Sequence, residues 1–202
     1  DLRGCTFYDL FDREIIVWSD IVKLPSFALT KGDVQVDTSA YFLFNEDEKI
    51  NNKYLLAFLN STLSFYYMKL IASVLGSGAL RWKKLFVEQI PIPKIDKEEQ
   101  KPFEILVDYI MFSKENNMIN EAFLFEAIID NMVFDLYFEE DMKKADCFLS
   151  SRVKEIVKPL GKYDTDEFKK NFIKIIYDIF KEDKTVQRSL IFSRNIEVVS
   201  II

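Results

Sequence analysis

The segment Leu75–Lys84, LGSGALRWKK, gathers three kinds of chemistry in ten residues. Gly76, Ser77 and Gly78 free the main chain to approach a surface closely and present amide groups. Lys83 and Lys84 supply charge of the kind that displaces counterions from a phosphate backbone. Arg81 carries the planar fork that matches the N7 and O6 edge of guanine, and Trp82 is able to pack against sugar or base. The same residues admit a structural reading, in which Arg81 and the lysines cap a helix end and Trp82 belongs to the core. A protein or small-ligand surface is the third possibility.

Other chemistry finds little support. The 202 residues contain no His, which excludes Ser-His-Asp triads, Cys-His dyads and His-ligated metals. There is no Cys-x-x-Cys pair, no Walker-type loop and no G-x-G-x-x-G run. An adenine methyltransferase needs an [ND]-P-P-[YF] motif and a Gly-rich cofactor loop, and neither occurs. Glu99–Lys101 and Glu167–Lys169 resemble half of a nuclease metal site but lack a spaced upstream carboxylate. Cys5 and Cys147 are expected to be free thiols of an intracellular, cytoplasmic protein, both acting as small hydrophobes. No apolar run is long enough to cross a membrane, so no membrane partner is expected. A chain that opens on Asp1 is expected to be part of a longer polypeptide.

The net charge of −6 conceals an uneven distribution. No acidic residue falls between Glu48 and Glu88, whereas Lys49, Lys53, Lys69, Arg81, Lys83 and Lys84 all do. From 101 to 202 the balance reverses, with 15 basic against 19 acidic residues.

The elements that must position the loop come from patterning. Glu14–Trp18, Ser26–Leu29, Val34–Val36 and Ala40–Phe44 read as short strands rich in β-branched and aromatic residues, with Lys31-Gly32-Asp33 a hairpin tip. Trp18 and Phe27 are expected in the core. From Asn52 the period changes, and Leu55, Leu59, Leu63, Leu70 and Val74 predict one helix of about six turns. Asn51 or Asn52 would cap it and Gly76 would end it in a left-handed conformation. A short helix over Lys83–Gln89 precedes Pro91 and Pro93, which force an extended exit.

The remainder predicts helices. One has Pro102 at its first helical position and Phe103, Leu106, Val107, Ile110 and Met111 as its stripe. Others cover Glu121–Tyr137 and Asp141–Lys158. A fourth opens at an Asp164/Glu167 capping box and runs through Phe168, Phe172, Ile175, Ile176 and Ile179. Arg188–Ile202 is expected to be a strand. The fold class is therefore α+β: a small mixed β-sheet unit with a long helix over residues 1–95, then a mostly helical unit over 96–202.

Three stretches in order, YDLFDREIIVWSDIVKLPSFAL, DTSAYFLF and NKYLLAFLNSTLSFYYMKLIASVLGSGALRWKKLFVEQIPIPK, resemble the TaqI-like C-terminal specificity domain. That domain occurs in adenine-specific DNA methyltransferases and in fused type IIG restriction–modification enzymes. Ile128–Met142 is similar to the family's closing helix, although Phe138-Glu139-Glu140 replaces the usual Gly-Leu. Glu14 stands where the family usually has a basic residue.

The resemblance implies a non-catalytic target-recognition module that binds double-stranded DNA opposite a methyltransferase domain of the same chain. That upstream domain would use S-adenosylmethionine on a flipped adenine, and this segment would hold no cofactor or metal. It implies DNA-binding roles for Gly76, Ser77, Gly78, Arg81, Trp82, Lys83 and Lys84. The competing expectation is a helical scaffold that docks the methyltransferase, nuclease or another subunit, with the basic loop incidental.

Overall fold

A computed structural model of the chain describes residues 12–31, 39–76 and 78–202. The predicted strand at 34–36, the tip residues Gly32 and Asp33, Cys5 and Ser77 lie outside them. The fold class is α+β, with two small sheets among many helices. Contacts divide the chain into two compact units, Asp1–Asn60 with Ser64–Lys94, and Ser61–Leu63 with Ile95–Ile202.

In the first unit, β1 (Glu14–Ser19) is the centre of a three-stranded sheet flanked by β3 (Ala28–Lys31) and β4 (Ala40–Leu43). The register pairs Ile16 with Leu29 and with Leu43. Both pairings are antiparallel, so the sheet is not the mixed one expected. Ile15, Ile16 and Trp18 of this central strand are buried, and α1 packs against it. A second sheet joins β2 (Ile21–Val22) to β5 (Leu80–Arg81).

The predicted six-turn helix is two helices, α1 (Asn52–Leu59) and α2 (Thr62–Ile71). Asn51 caps α1 by accepting from Lys53 N at 2.8 Å. The break at Asn60 has a specific cause. The Asn60 side chain accepts from Phe27 N and donates to Phe27 O, both at 3.0 Å, as a neighbouring strand would. Its Oδ1 and Nδ2 thus satisfy a peptide that β3 leaves unpaired, and Ser64 Oγ then takes Phe58 O at 2.6 Å. The break also resets the apolar stripe. Tyr54 through Leu59 are buried, but beyond it Ser64 and Met68 face inward and Leu70 is two-thirds exposed. The short helix α3 (Lys84–Val87) follows, and Tyr54 Oη donates to Pro93 O at 2.8 Å to hold the extended exit.

The second unit is helical: α4 (Lys97–Glu115), α5 (Ile119–Tyr137), α6 (Glu139–Lys144), α7 (Ser150–Ile156), α8 (Asp166–Glu182), α9 (Lys184–Phe192), a 3-10 turn at Ser193–Asn195 and α10 (Glu197–Ser200). Its core joins Phe103, Leu106 and Tyr109 of α4 to Phe125, Ile128 and Met132 of α5 and Phe180 of α8.

Several boundaries differ from expectation. The helix of Pro102 begins earlier, at an Asp96/Glu99 capping box in which Asp96 N donates to Glu99 at 3.1 Å. Helix α8 is capped by Thr165, whose Oγ1 accepts from Phe168 N, so the Asp164/Glu167 box does not form. Asp141–Lys158 divides into α6 and α7 around Asp146, which has φ of +56°. Arg188–Ile202 is not a strand but the end of α9, the 3-10 turn and α10, with Ser189, Ser193 and Val199 buried. In α8 the buried residues are Ile173, Ile176 and Phe180, leaving Phe168, Ile175 and Ile179 exposed.

Polar groups inside this unit are placed with care. Asp135 is buried on α5, and its Oδ2 accepts from Leu149 N at 2.9 Å and from Ser150 N and Oγ at 2.7 Å each. It thereby holds the start of α7, although burial still pushes its carboxyl up to about 6. Cys147 is fully buried, and burial raises its thiol, so it packs as a small apolar residue.

Candidate nucleic-acid interface

The chain on either side of Gly76–Gly78 forms a short hairpin. Leu75 N donates to Ala79 O at 2.8 Å, Gly78 N to Leu75 O at 2.8 Å, and Arg81 N to Ser73 O at 3.0 Å. Gly78 has φ of +77°, the left-handed position that closes a three-residue hairpin loop. This is where glycine is needed. Gly76 does not end a helix in that conformation: α2 already stops at Ile71. A Cβ at either glycine would meet open space, so the tip stands clear of the body.

One arm of the hairpin continues into β5, where Arg81 pairs with Ile21 and Leu80 with Val22. The next residue anchors everything. Trp82 N donates to Asp20 O at 2.7 Å, and Trp18 Nε1 donates to Trp82 O at 2.6 Å. The Trp82 ring has 0% exposure and meets Phe27 edge-on at 5.4 Å and Phe65 nearly parallel at 6.4 Å. Trp18 extends the cluster to Phe27 and Tyr41. Trp82 is therefore core, which decides between the two roles its sequence position allowed. An aromatic ring so enclosed does not stack on a base. What it does is hold its neighbours in place.

Those neighbours are cationic and outward. Arg81 keeps 36% of its side-chain surface exposed, and its Nη1 donates to Asp20 Oδ2 at 2.9 Å. Lys83 precedes α3 with extended backbone, and its carbonyl starts the helix by accepting from Phe86 N. Lys84 is 72% exposed, and its pair with Glu88 is long at 3.4 Å, a surface contact of small consequence. Lys69 of α2 joins them: its Nζ lies 4.4 Å from the Phe65 ring that packs on Trp82. Arg81, Lys83 and Lys84 thus flank the aromatic anchor in the chain, and Lys69 reaches it through Phe65.

The structure does not draw the whole basic zone together. Lys49 and Lys53 belong to the turn and first helical residues after β4. There Asp47, held below its usual range by the Lys49 backbone N–H and by Lys94, supplies a local counter-charge. Glu14 accepts from Asn52 Nδ2 at 2.7 Å, which puts its carboxylate to structural use. Asp20, which no sequence pattern singled out, is the residue that ties these groups together. It binds Arg81 through its side chain and Trp82 through its backbone, 61 positions from Arg81.

No curated protein matches the chain. The model of the TaqI-like C-terminal specificity domain matches residues 3–92, ending where the extended exit begins and leaving the Ile128–Met142 likeness outside the match. The hairpin, the aromatic anchor and the basic cluster all lie inside the segment that is similar to the TaqI-like C-terminal specificity domain.

Proposed function

We propose that the chain is the sequence-reading part of a restriction–modification adenine DNA methyltransferase and performs no chemistry itself. The observation that carries this reading is the mounting of the hairpin. The hairpin closed at Gly78 is hung from the Trp18–Trp82 aromatic core inside the family-matched segment, next to Arg81, Lys83 and Lys84, with Lys69 reaching the same core through Phe65. Exposed lysines give sequence-independent affinity for phosphates. The hairpin tip and Arg81 then enter a groove, with specificity resting on base edges.

S-adenosylmethionine, the methyl donor of such enzymes, belongs outside this chain in the same reading. Gly76 and Gly78 stand at an exposed hairpin tip and open no helix, so they do not form the nucleotide cradle that this cofactor needs. The methyltransferase partner would be an upstream domain of the same polypeptide.

Affinity of the full chain for duplex DNA, followed from about 50 to 200 mM salt, tests the proposal. Four basic contacts predict a log–log slope of about −3 to −4. A flat response would favour the scaffold reading, which has one observation in its support: α8 leaves Phe168, Ile175 and Ile179 in water along one stripe. On that reading the stripe docks the methyltransferase domain, and Ile175→Ser would release it without altering DNA affinity.

A further inference from the structure

Resting on the DNA reading, we propose that Asp20, Ile21 and Arg81 act as one base-reading unit, selecting a guanine with a thymine in the adjacent base pair. The register of β2 and β5 sets Ile21 directly opposite Arg81, so both side chains leave the same face of this two-strand sheet. Directly opposed residues lie about 5 Å apart, close to the rise of 3.4 Å between successive bases. Two such side chains address neighbouring pairs.

Arg81 is set for its part before DNA arrives. Asp20 Oδ2 holds Nη1 at 2.9 Å and leaves Nε and Nη2, one edge of the fork, for the N7 and O6 of guanine. Asp20 is itself fixed at both backbone groups, its N–H donating to Ser39 O at 3.0 Å and its carbonyl accepting from Trp82 N at 2.7 Å. The pair is partly buried, with the Asp20 side chain 18% exposed, and it fixes the direction of the guanidinium before binding. Ile21 supplies the second half. It is 48% exposed, a branched aliphatic held in solvent beside a cation, and the matching group in a major groove is the 5-methyl of thymine.

The test is selection of bound duplexes from a randomised library by the full chain and by Asp20→Asn, Arg81→Lys and Ile21→Ser, with melting curves to confirm folding. Arg81→Lys is expected to reduce the preference for guanine at one position by roughly tenfold to a hundredfold. Asp20→Asn, which preserves the backbone bonds, relaxes the same position in the same direction. Ile21→Ser lowers the preference for thymine at the neighbouring pair by about fourfold, the value of one buried methyl. Replacing that thymine by uracil weakens the unsubstituted chain equally, a comparison that needs no variant to fold, and leaves folded Ile21→Ser unaffected. Selection of the same sequence by all three folded variants, or indifference to uracil, overturns this inference alone. Failure of the unsubstituted chain to enrich any duplex overturns the DNA reading beneath it.

Discussion

Asp135→Asn should abolish most of the pH dependence of stability between pH 5 and 7. The Asp135 carboxyl titrates at about 6 in the folded chain against an ordinary value of 3.8, chiefly because burial disfavours its charge. The folded state therefore holds a proton that the unfolded state has released. Stability from this group is complete below about pH 4 and is lost as pH rises through 6, at up to about 1.4 kcal/mol per pH unit. The integrated loss is about 3 kcal/mol.

An Asn in its place keeps an oxygen for Leu149 and Ser150. It puts an amide where Asp135 Oδ1 now lies buried without a partner, at a cost of about 1–3 kcal/mol. The variant should thus be less stable at pH 5 and nearly equal at pH 7.5. Urea melts at several pH values measure it. Absence of histidine keeps the window clear, and Asp130, also raised by burial, contributes equally to both proteins. Parallel pH profiles for the two proteins would refute the reasoning.

Three further outcomes are expected. Gly78→Val should cost about 1–2 kcal/mol in thermal unfolding because of its φ of +77°, whereas Gly76→Ala, with open space around it, should not move the melting point. Asn60→Ala should destabilise by about 1–3 kcal/mol in denaturant titrations, since it strands the backbone N–H and C=O of Phe27. Calorimetric titration with S-adenosylmethionine should show no saturable binding to this chain; a micromolar isotherm would remove the division of labour proposed for the parent enzyme.

Local patterns were legible in the sequence, and long-range partners were not. Glu14–Trp18 announces β1 through its β-branched and aromatic run, and the α4 and α5 stripes follow helical periodicity because their burial is one-sided. The six-turn helix failed at Asn60 because the peptide that captures its side chain lies 33 residues away. Arg188–Ile202 read as a strand from its Ile and Val content, yet helical packing of Val186 and Ser189 outweighs β propensity there. At the candidate site, Gly78, Arg81, Lys83 and Lys84 drew notice from type and spacing, and the structure places them on one hairpin and the helix start that follows it. The burial of Trp82 and the grip of Asp20 on Arg81 depend on contacts from residues 18, 20, 27 and 65, which no local window contains.

The salt dependence of duplex binding by a Lys83→Ala/Lys84→Ala double variant tests the central claim most directly. Neither side chain is in the core, so the variant should fold with an unchanged melting point. If these lysines neutralise two phosphates, affinity falls alike for every duplex and the slope of log affinity against log salt flattens by about two. A folded double variant with unchanged affinity and slope would contradict the account and move DNA away from this loop.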